Sequence, residues 1–115
     1  MRQRHDVKLV LSRGRAFSIE GLAFELMAPR QCHLNVAHRF ATGRGRIGMG
    51  WGLSDDGLWR EHSWIVSAER TSASARIVET TRPRLVYFGV ELEEDDAKLF
   101  TQVELGREAS NNRQA

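Results

Sequence analysis

The chain has 115 residues, which is enough for one domain with one modest hydrophobic core. Apolar residues make up 41% and charged residues 28%, a globular balance that argues against general disorder. The 17 basic and 15 acidic side chains leave a net charge of only +2, and the arginines are scattered, so a nucleic-acid surface is a possibility with little support.

The single cysteine, Cys32, excludes an intramolecular disulfide and a zinc site built from several cysteines. The first residues, M-R-Q-R-H-D-V-K, lack the apolar segment of a secretory signal. No run approaches the ~18 apolar residues of a membrane helix. We therefore expect a cytoplasmic protein in a reducing compartment, with no membrane association, no metal and no cofactor.

The first half of the chain predicts one strand, one ambiguous segment and one helix. Residues 7–12 alternate as in a strand. Residues 16–28 fit either a helix or a strand, because Gly21 interrupts the helical pattern. Residues 31–41 carry apolar side chains with the spacing of one helical face. Cys32 therefore falls in the first turn of the clearest predicted helix.

The second half predicts an antiparallel run of strands. The strands are expected at 46–53, 58–68, 75–81 and 85–92, with a hairpin turn at 54–57. The stretch E-E-D-D-A-K-L-F starts a short helix, and residues 106–115 resemble a frayed tail. The prediction is a single α+β domain over residues 1–105, in which the helix that carries the cysteine packs on an antiparallel sheet.

A cysteine in the first helical turn has two interpretations. A helix N-terminus stabilises a thiolate, and its unpaired N–H groups can hold an oxyanion. The alternative is a small, inert, buried residue, which is the usual fate of a lone cysteine. Cys32 by itself does not decide between a nucleophile and a core residue.

His62 and Glu79 are the polar residues that the strand pattern turns inward. In 58–68, His62 shares a face with Leu58, Trp64 and Val66, and we expect that face to be buried. In 75–81, Glu79 lies on the side of Ile77, where a carboxylate needs a partner. If the two strands form a hairpin centred near residue 70, Glu79 can reach His62. The alternatives are a satisfied core histidine and an exposed glutamate at a strand end.

Four short motifs together resemble the papain-like and transglutaminase-like cysteine-enzyme superfamily, especially its small bacterial and phage members. They are C-H-L-N-V at 32–36, G-M-G-W-G-L at 48–53, E-H-S-W-I-V at 61–66 and I-V-E-T-T at 77–81. The resemblance covers about residues 30–90. It implies a papain-like core, with Cys32 as nucleophile, His62 as base and acid, and Glu79 as the orienting carboxylate. Glu79 departs from the commoner Asp or Asn at that position.

The expected activity is that of a cysteine-dependent hydrolase or acyltransferase that cleaves an amide or thioester bond of a protein or peptide substrate. The backbone N–H of Cys32 and the side-chain amide of Gln31 are candidate oxyanion donors. Further candidates for substrate contact are Trp51, Arg60 and Trp64, with the alternative that the tryptophans belong to the core and that Arg60 pairs with a carboxylate of the chain. The rival hypothesis is an inert module on the same fold that binds protein or nucleic acid.

Two other patterns are discounted. G-R-G-R-I-G at 43–48 follows a predicted helix and precedes a strand, which is the reverse of a dinucleotide-binding turn. His33 and His38 are five positions apart and diverge on a helix, so we expect surface residues rather than metal ligands. The hairpin turn leaves one question open: a three-residue loop puts Gly50 opposite His62, whereas a two- or four-residue loop puts Met49 there.

Overall fold

The described residues, 12–67 and 76–114 of a computed structural model, form two helices and a six-stranded mixed sheet. In chain order the elements are β1 (Arg15–Phe17), β2 (Ala23–Phe24), α1 (Cys32–Ala41), β3 (Arg46–Leu53), β4 (Trp59–Val66), β5 (Ile77–Glu79), β6 (Val86–Glu91) and α2 (Glu94–Gln114). The predicted α+β class is confirmed. In the part of the chain that is described, no helix has the length and apolar character needed to cross a membrane.

The strand order is β1-β6-β3-β4-β5-β2, and one pairing differs from the prediction. β2 runs parallel to β5, while every other pair is antiparallel. β2 comes from the segment that the sequence left ambiguous. A parallel pair is possible here because α1, β3 and β4 separate β2 from β5 along the chain, which gives the room for a crossover that a hairpin lacks.

The β3–β4 hairpin places Gly50 opposite His62. The N–H of Ser54 donates to the carbonyl of Leu58 at 2.9 Å, which leaves a three-residue loop at 55–57. Gly50 also lies opposite Gly89 of β6. A Cβ built on Gly50 would stand 2.2 Å from the carbonyl oxygen of Phe88. The bare face of β3 therefore lets the β6 backbone approach closely beside His62.

Two apolar clusters lie on opposite faces of the sheet. The cluster beneath the helices includes Val36, Ala37, Ile47, Met49, Ile65, Val78, Val90, Leu92, Ala97 and Phe100. The cluster on the other face consists of Phe17, Trp64, Val66, Ile77 and Tyr87. Both faces of β4 are thus buried from residue 62 to residue 66, whereas its start and the preceding Leu58 are exposed. The sequence predicted that β4 buries one face. Both faces are buried over this half of the strand, because the second cluster covers one face and the helices cover the other.

The second helix is much longer than the sequence predicts. α2 has 21 residues and continues through the segment that was assigned to a short helix and a frayed tail. Ala97, Phe100 and Thr101 are buried, and Glu108 bonds His38 of α1, with 3.0 Å between Oε1 and Nε2. This packing stabilises the helix against its polar composition.

Several predicted segments extend beyond the described part of the chain. Of the predicted strand at 7–12, only Ser12 is among the described residues. Positions 68 and 75 and the loop between them also lie outside the described residues. The predicted helix 31–41 is confirmed as α1, and the strand 46–53 as β3. The predicted strands at 58–68, 75–81 and 85–92 correspond to β4, β5 and β6.

Candidate active site

His62 and Glu79 form a buried pair on the sheet face of the Trp64 cluster. His62 Nε2 lies 2.9 Å from Glu79 Oε1 and 3.2 Å from Oε2. Both side chains are 0% exposed. β4 and β5 are antiparallel neighbours, with Ile65 opposite Val78, so the hairpin inferred from the spacing brings the two residues together as predicted. A buried carboxylate of this kind fixes the ring orientation of its histidine.

Glu79 is itself held by three further donors. The hydroxyl of Tyr87 donates to Oε1 at 2.5 Å. Thr81 donates to Oε2 twice, from its backbone N–H at 3.0 Å and from its hydroxyl at 2.9 Å. Burial raises the pKa of Glu79, but the hydrogen bonds from His62, Tyr87 and Thr81 and the charge of His62 lower it below its usual 4.5. The carboxylate is therefore ionised beside the imidazole.

Cys32 is the first residue of α1, and the chain before it is tightly constrained. Arg30 has a positive φ of 64°, which few residues with a side chain adopt, and Gln31 is the N-cap but gives no side-chain cap. The buried Asn35 donates from Nδ2 to the carbonyl of Ala28 at 2.8 Å and to Thr80 Oγ1 at 3.4 Å. Asn35 thus ties the start of α1 to the chain that follows β5.

The start of α1 contacts β4 where that strand has no neighbour on the β5 side. Within the described residues, β4 pairs with β5 only at Ile65 and Val66. The half of β4 that contains His62 and Ser63 is therefore open at that edge. The Cys32 thiol and the His62 side chain are close enough there for each to shift the pKa of the other. Since Glu79 occupies Nε2 of His62, Nδ1 is the ring nitrogen available for proton exchange, and Nη2 of Arg84 lies 3.5 Å from it.

The electrostatics of Cys32 favour the thiolate. Burial raises the pKa of the thiol, but hydrogen bonds from His33 and His62 and the charges of those imidazoles lower it to about 5. For His62, burial lowers the pKa, and the hydrogen bonds and charges of Cys32 and Glu79 raise it above 6.5 overall. At a pH above the pKa of Cys32 and below the raised pKa of His62, the site holds a thiolate and an imidazolium, with Glu79 as counter-ion.

His33 is a second imidazole at the thiol, which the sequence assigned to the surface. Its side chain is only 22% exposed. Its Nδ1 lies 2.7 Å from Ser63 Oγ and 3.9 Å from Cys32 Sγ, and its Nε2 lies 3.6 Å from Glu61 Oε1. The surface prediction was wrong because these contacts are made across to β4, and helical spacing alone does not show them. His38 is the more exposed of the pair, at 45%.

Gln31 lies beside the thiol in an open cleft. The cleft measures about 260 Å³ and runs between the start of α1 and the second half of α2. Gln31, Cys32 and His33 line it, but His62 does not. The N–H groups of the first turn of α1 have no helical acceptor, and that turn carries no acidic side chain. The surroundings of Gln31 and Cys32 therefore suit a partial negative charge on a substrate oxygen.

The other three substrate candidates lie elsewhere. Trp64 is fully buried in the second cluster, where its rings contact those of Phe17 and Tyr87 at centroid distances of 5.3 and 5.2 Å. Trp51 packs against the cluster beneath the helices. Arg60 pairs with Asp56 of the hairpin turn at 2.8 Å. Trp64 has no exposed surface with which to meet a substrate, which agrees with the core position that was its alternative.

Tyr87, Thr81 and Arg84 were missed by the sequence reasoning. The role of Thr81 could have been predicted, because a threonine two positions after a carboxylate can donate a hydrogen bond back to it within a turn. Tyr87 and Arg84 reach the His62–Glu79 pair from β6 and the segment before it, and no local pattern indicates this. Among residues 12–67 and 76–114, no three His, Cys, Asp or Glu side chains are grouped as ligands of a metal ion.

The thiol, the imidazole and the carboxylate thus come together from α1, β4 and β5. Cys32, His62 and Glu79 follow one another along the chain in the same order in which they interact. No protein-family model, no curated protein and no solved structure matches this chain.

Proposed function

We propose that the chain is a cysteine-dependent hydrolase or acyltransferase that acts on an amide or thioester bond. The observation that carries the proposal is the fully buried His62–Glu79 pair, whose imidazole also lowers the pKa of the Cys32 thiol. A thiol, a histidine that takes and returns its proton, and a group that orients the histidine are the three parts that nucleophilic cysteine chemistry needs.

In the first half of the reaction, the Cys32 thiolate attacks the carbonyl carbon of the substrate. The carbonyl π electrons move to oxygen, and the oxyanion accepts hydrogen bonds from the N–H of Cys32 and the side-chain amide of Gln31. As the intermediate collapses, the imidazolium of His62 gives its Nδ1 proton to the leaving amine or thiol. An acyl-Cys32 thioester and a neutral His62 remain.

In the second half, the neutral His62 takes a proton from water or from an acceptor amine at Nδ1. The nucleophile attacks the thioester carbonyl, and the Cys32 thiolate leaves as the carboxylic acid or the new amide is released. Glu79 keeps its charge throughout and stabilises the imidazolium each time it forms. Water as acceptor gives hydrolysis, and an amine gives acyl transfer.

The proposal extends to the setting of the reaction. A papain-like core is supported by the helix that presents the cysteine to a histidine on an adjacent strand. A protein or peptide substrate is supported by the open cleft beside Gln31 and Cys32, and a cytoplasmic location by the free thiol of Cys32. The rival hypothesis, an inert binding module, gives no reason for the low pKa of that thiol.

The decisive experiment measures alkylation of Cys32 by iodoacetamide from pH 3.5 to 9. We expect the rate to rise with a midpoint near pH 5, because the thiolate is the reacting form and the pKa of Cys32 is about 5. The unfolded chain in denaturant serves as the control, since its only thiol is the same cysteine. A midpoint between pH 8 and 9 in the folded protein would contradict the proposal.

Turnover then distinguishes the enzyme from the binding module. A panel of peptide amides and small thioesters is tested with the wild-type protein and with Cys32→Ser, which keeps the size of the side chain but weakens the nucleophile. Activity that disappears in Cys32→Ser supports the enzyme. Biological activity that survives Cys32→Ala supports the inert module.

A further inference from the structure

Arg84 is the cation nearest to the proton-transfer nitrogen of the site. Its Nη2 lies 3.5 Å from Nδ1 of His62, the ring nitrogen that Glu79 leaves available for proton exchange. The guanidinium therefore lies beside the imidazole to which the proposed function assigns proton transfer. The sequence pattern around Arg84 did not predict its position beside His62.

The side chain of Arg84 is held in place from three directions. Its backbone N–H donates to the Tyr87 hydroxyl at 3.1 Å, and its Nη1 donates to the carbonyl of Arg82. Its stem lies against Gly52, where an added Cβ would stand 2.5 Å from Arg84 Cγ. The glycine thus makes room for the arginine, and the guanidinium is presented at a defined position.

The charge of Arg84 has no carboxylate partner among the described residues. Four other arginines of the sheet and helices each pair with one: Arg39, Arg46, Arg60 and Arg107. The Nε of Arg84 is buried and has no acceptor in the described part of the chain. Glu79, the carboxylate on the other side of His62, is already occupied by His62, Tyr87 and Thr81.

We infer that Arg84 is a substrate-binding residue that selects acyl groups with a second, anionic carboxylate a few carbons from the reacting carbonyl. This inference rests on the proposed function, because it names the substrate class of the same site. A guanidinium binds a carboxylate through charge-assisted hydrogen bonds, which Nη2 of Arg84 would donate here. The carboxylate of the substrate supplies the hydrogen-bond acceptor and the negative charge that the described residues do not offer to Arg84.

The test compares iodoacetate with iodoacetamide as alkylating agents of Cys32. In both reactions the thiolate displaces iodide from a CH₂ group, and the two agents differ in carrying a carboxylate or a neutral amide. We expect Arg84→Gln to lower the ratio of the iodoacetate rate to the iodoacetamide rate about tenfold, because one nearby positive charge is lost. Arg84→Lys, which keeps the charge without the planar fork, should keep most of the ratio.

Arg82→Gln is the matched control. Arg82 is exposed and two positions away, and it contacts Arg84 through its backbone carbonyl, which the substitution does not alter. The rate ratio should therefore stay within about twofold of the wild-type value. Circular dichroism and the urea midpoint of each variant show whether it is folded, and Arg84→Met, which also removes the charge, replaces Arg84→Gln if the latter is not.

The outcomes separate the inference from the proposed function. Fast alkylation with a ratio unchanged in Arg84→Gln overturns the role of Arg84 and leaves the nucleophile intact. Equal loss of both rates overturns it too, because Arg84 then acts on the thiolate rather than on the carboxylate of the reagent. Alkylation of wild-type Cys32 no faster than in the unfolded chain contradicts the proposed function itself. A lowered ratio with an unchanged iodoacetamide rate supports the inference.

A substrate pair extends the test to turnover. Glutaryl and hexanoyl thioesters differ chiefly in the terminal carboxylate of the acyl group. The wild type should favour the glutaryl thioester in kcat/KM, and Arg84→Gln should lose that preference mainly through a higher KM. A preference for the hexanoyl thioester in the wild type would overturn the inference.

Discussion

The two histidines beside Cys32 have contrasting surroundings. His62 comes from a strand, is fully buried, and has an ionised carboxylate 2.9 Å from Nε2. His33 comes from the helix that carries the thiol, borders an open cleft, and has the hydroxyl of Ser63 2.7 Å from Nδ1. A carboxylate stabilises the charged ring, whereas a hydroxyl accommodates either protonation state.

This difference assigns different roles to the two rings. Glu79 fixes the orientation of His62 and makes its imidazolium stable, which a residue that moves protons requires. His33 has a longer and partly exposed carboxylate contact, 3.6 Å from its Nε2 to Glu61 Oε1, and it tunes the thiol by its hydrogen bond and charge. Substitutions on the two sides should therefore affect different steps, and the variants below are ordered by the size of the expected effect.

The largest effect is expected for His62→Gln. The substitution removes the acid and base of both half-reactions, so kcat for thioester hydrolysis should fall by about 10²–10⁴-fold. His38→Gln is the control, because His38 lies on the same side of the molecule as α2 and contacts Glu108 rather than the thiol. A loss smaller than tenfold in His62→Gln would assign proton transfer to another group, with His33 the next to be tested.

Glu79→Gln should destabilise the fold by about 3 kcal/mol, because it breaks a buried charged pair. The lowered pKa of Glu79 contributes stability above its usual 4.5 that is lost as the pH falls through the lowered value. The raised pKa of His62 contributes stability below its usual 6.5 that is lost as the pH rises through the raised value.

Urea unfolding of wild type and Glu79→Gln across pH checks this expectation. The gap in the free energy of unfolding should be widest between about pH 4.5 and 6.5, where both charges are present in full. It should narrow at lower and at higher pH. A gap that is constant with pH would mean that shape, rather than charge, accounts for the loss.

His33→Gln tests the tuning role and should have a smaller effect. Loss of its hydrogen bond and charge should raise the pKa of Cys32 from about 5 by roughly one unit, which the midpoint of alkylation against pH reports. Turnover at pH 7 should change little, since the thiolate still dominates there. An unchanged midpoint would leave His62 as the imidazole that lowers the pKa of the thiol.

The smallest effects should come from the donors that hold Glu79. Tyr87→Phe removes the one donor besides His62 that the described residues offer to Oε1, and should cost about 1.5 kcal/mol, as hydrogen bonds to charged groups do. Thr81→Val should cost less, because the backbone N–H of Thr81 still donates to Oε2. The urea midpoints of both variants check the order, and a larger loss in Thr81→Val would contradict it.

Local patterns in the sequence predicted the elements that carry the site. The helical spacing over 31–41 placed Cys32 at a helix start, and the alternation in 58–68 turned His62 inward. The near-equal distances of His62 and Glu79 from the hairpin centre predicted their contact. The same patterns misjudged His33, because Ser63 approaches it from a distant part of the chain.

What the sequence alone determined was therefore the type and position of most elements and the pairing of neighbouring strands, since hydrophobic period and turn residues act over a few positions. Only the tertiary structure decided the parallel pairing of β2, the length of α2, and the presence of Tyr87 and Arg84 at the His62–Glu79 pair. Those features depend on packing between residues far apart in the chain. Burial, rather than local propensity, stabilises them.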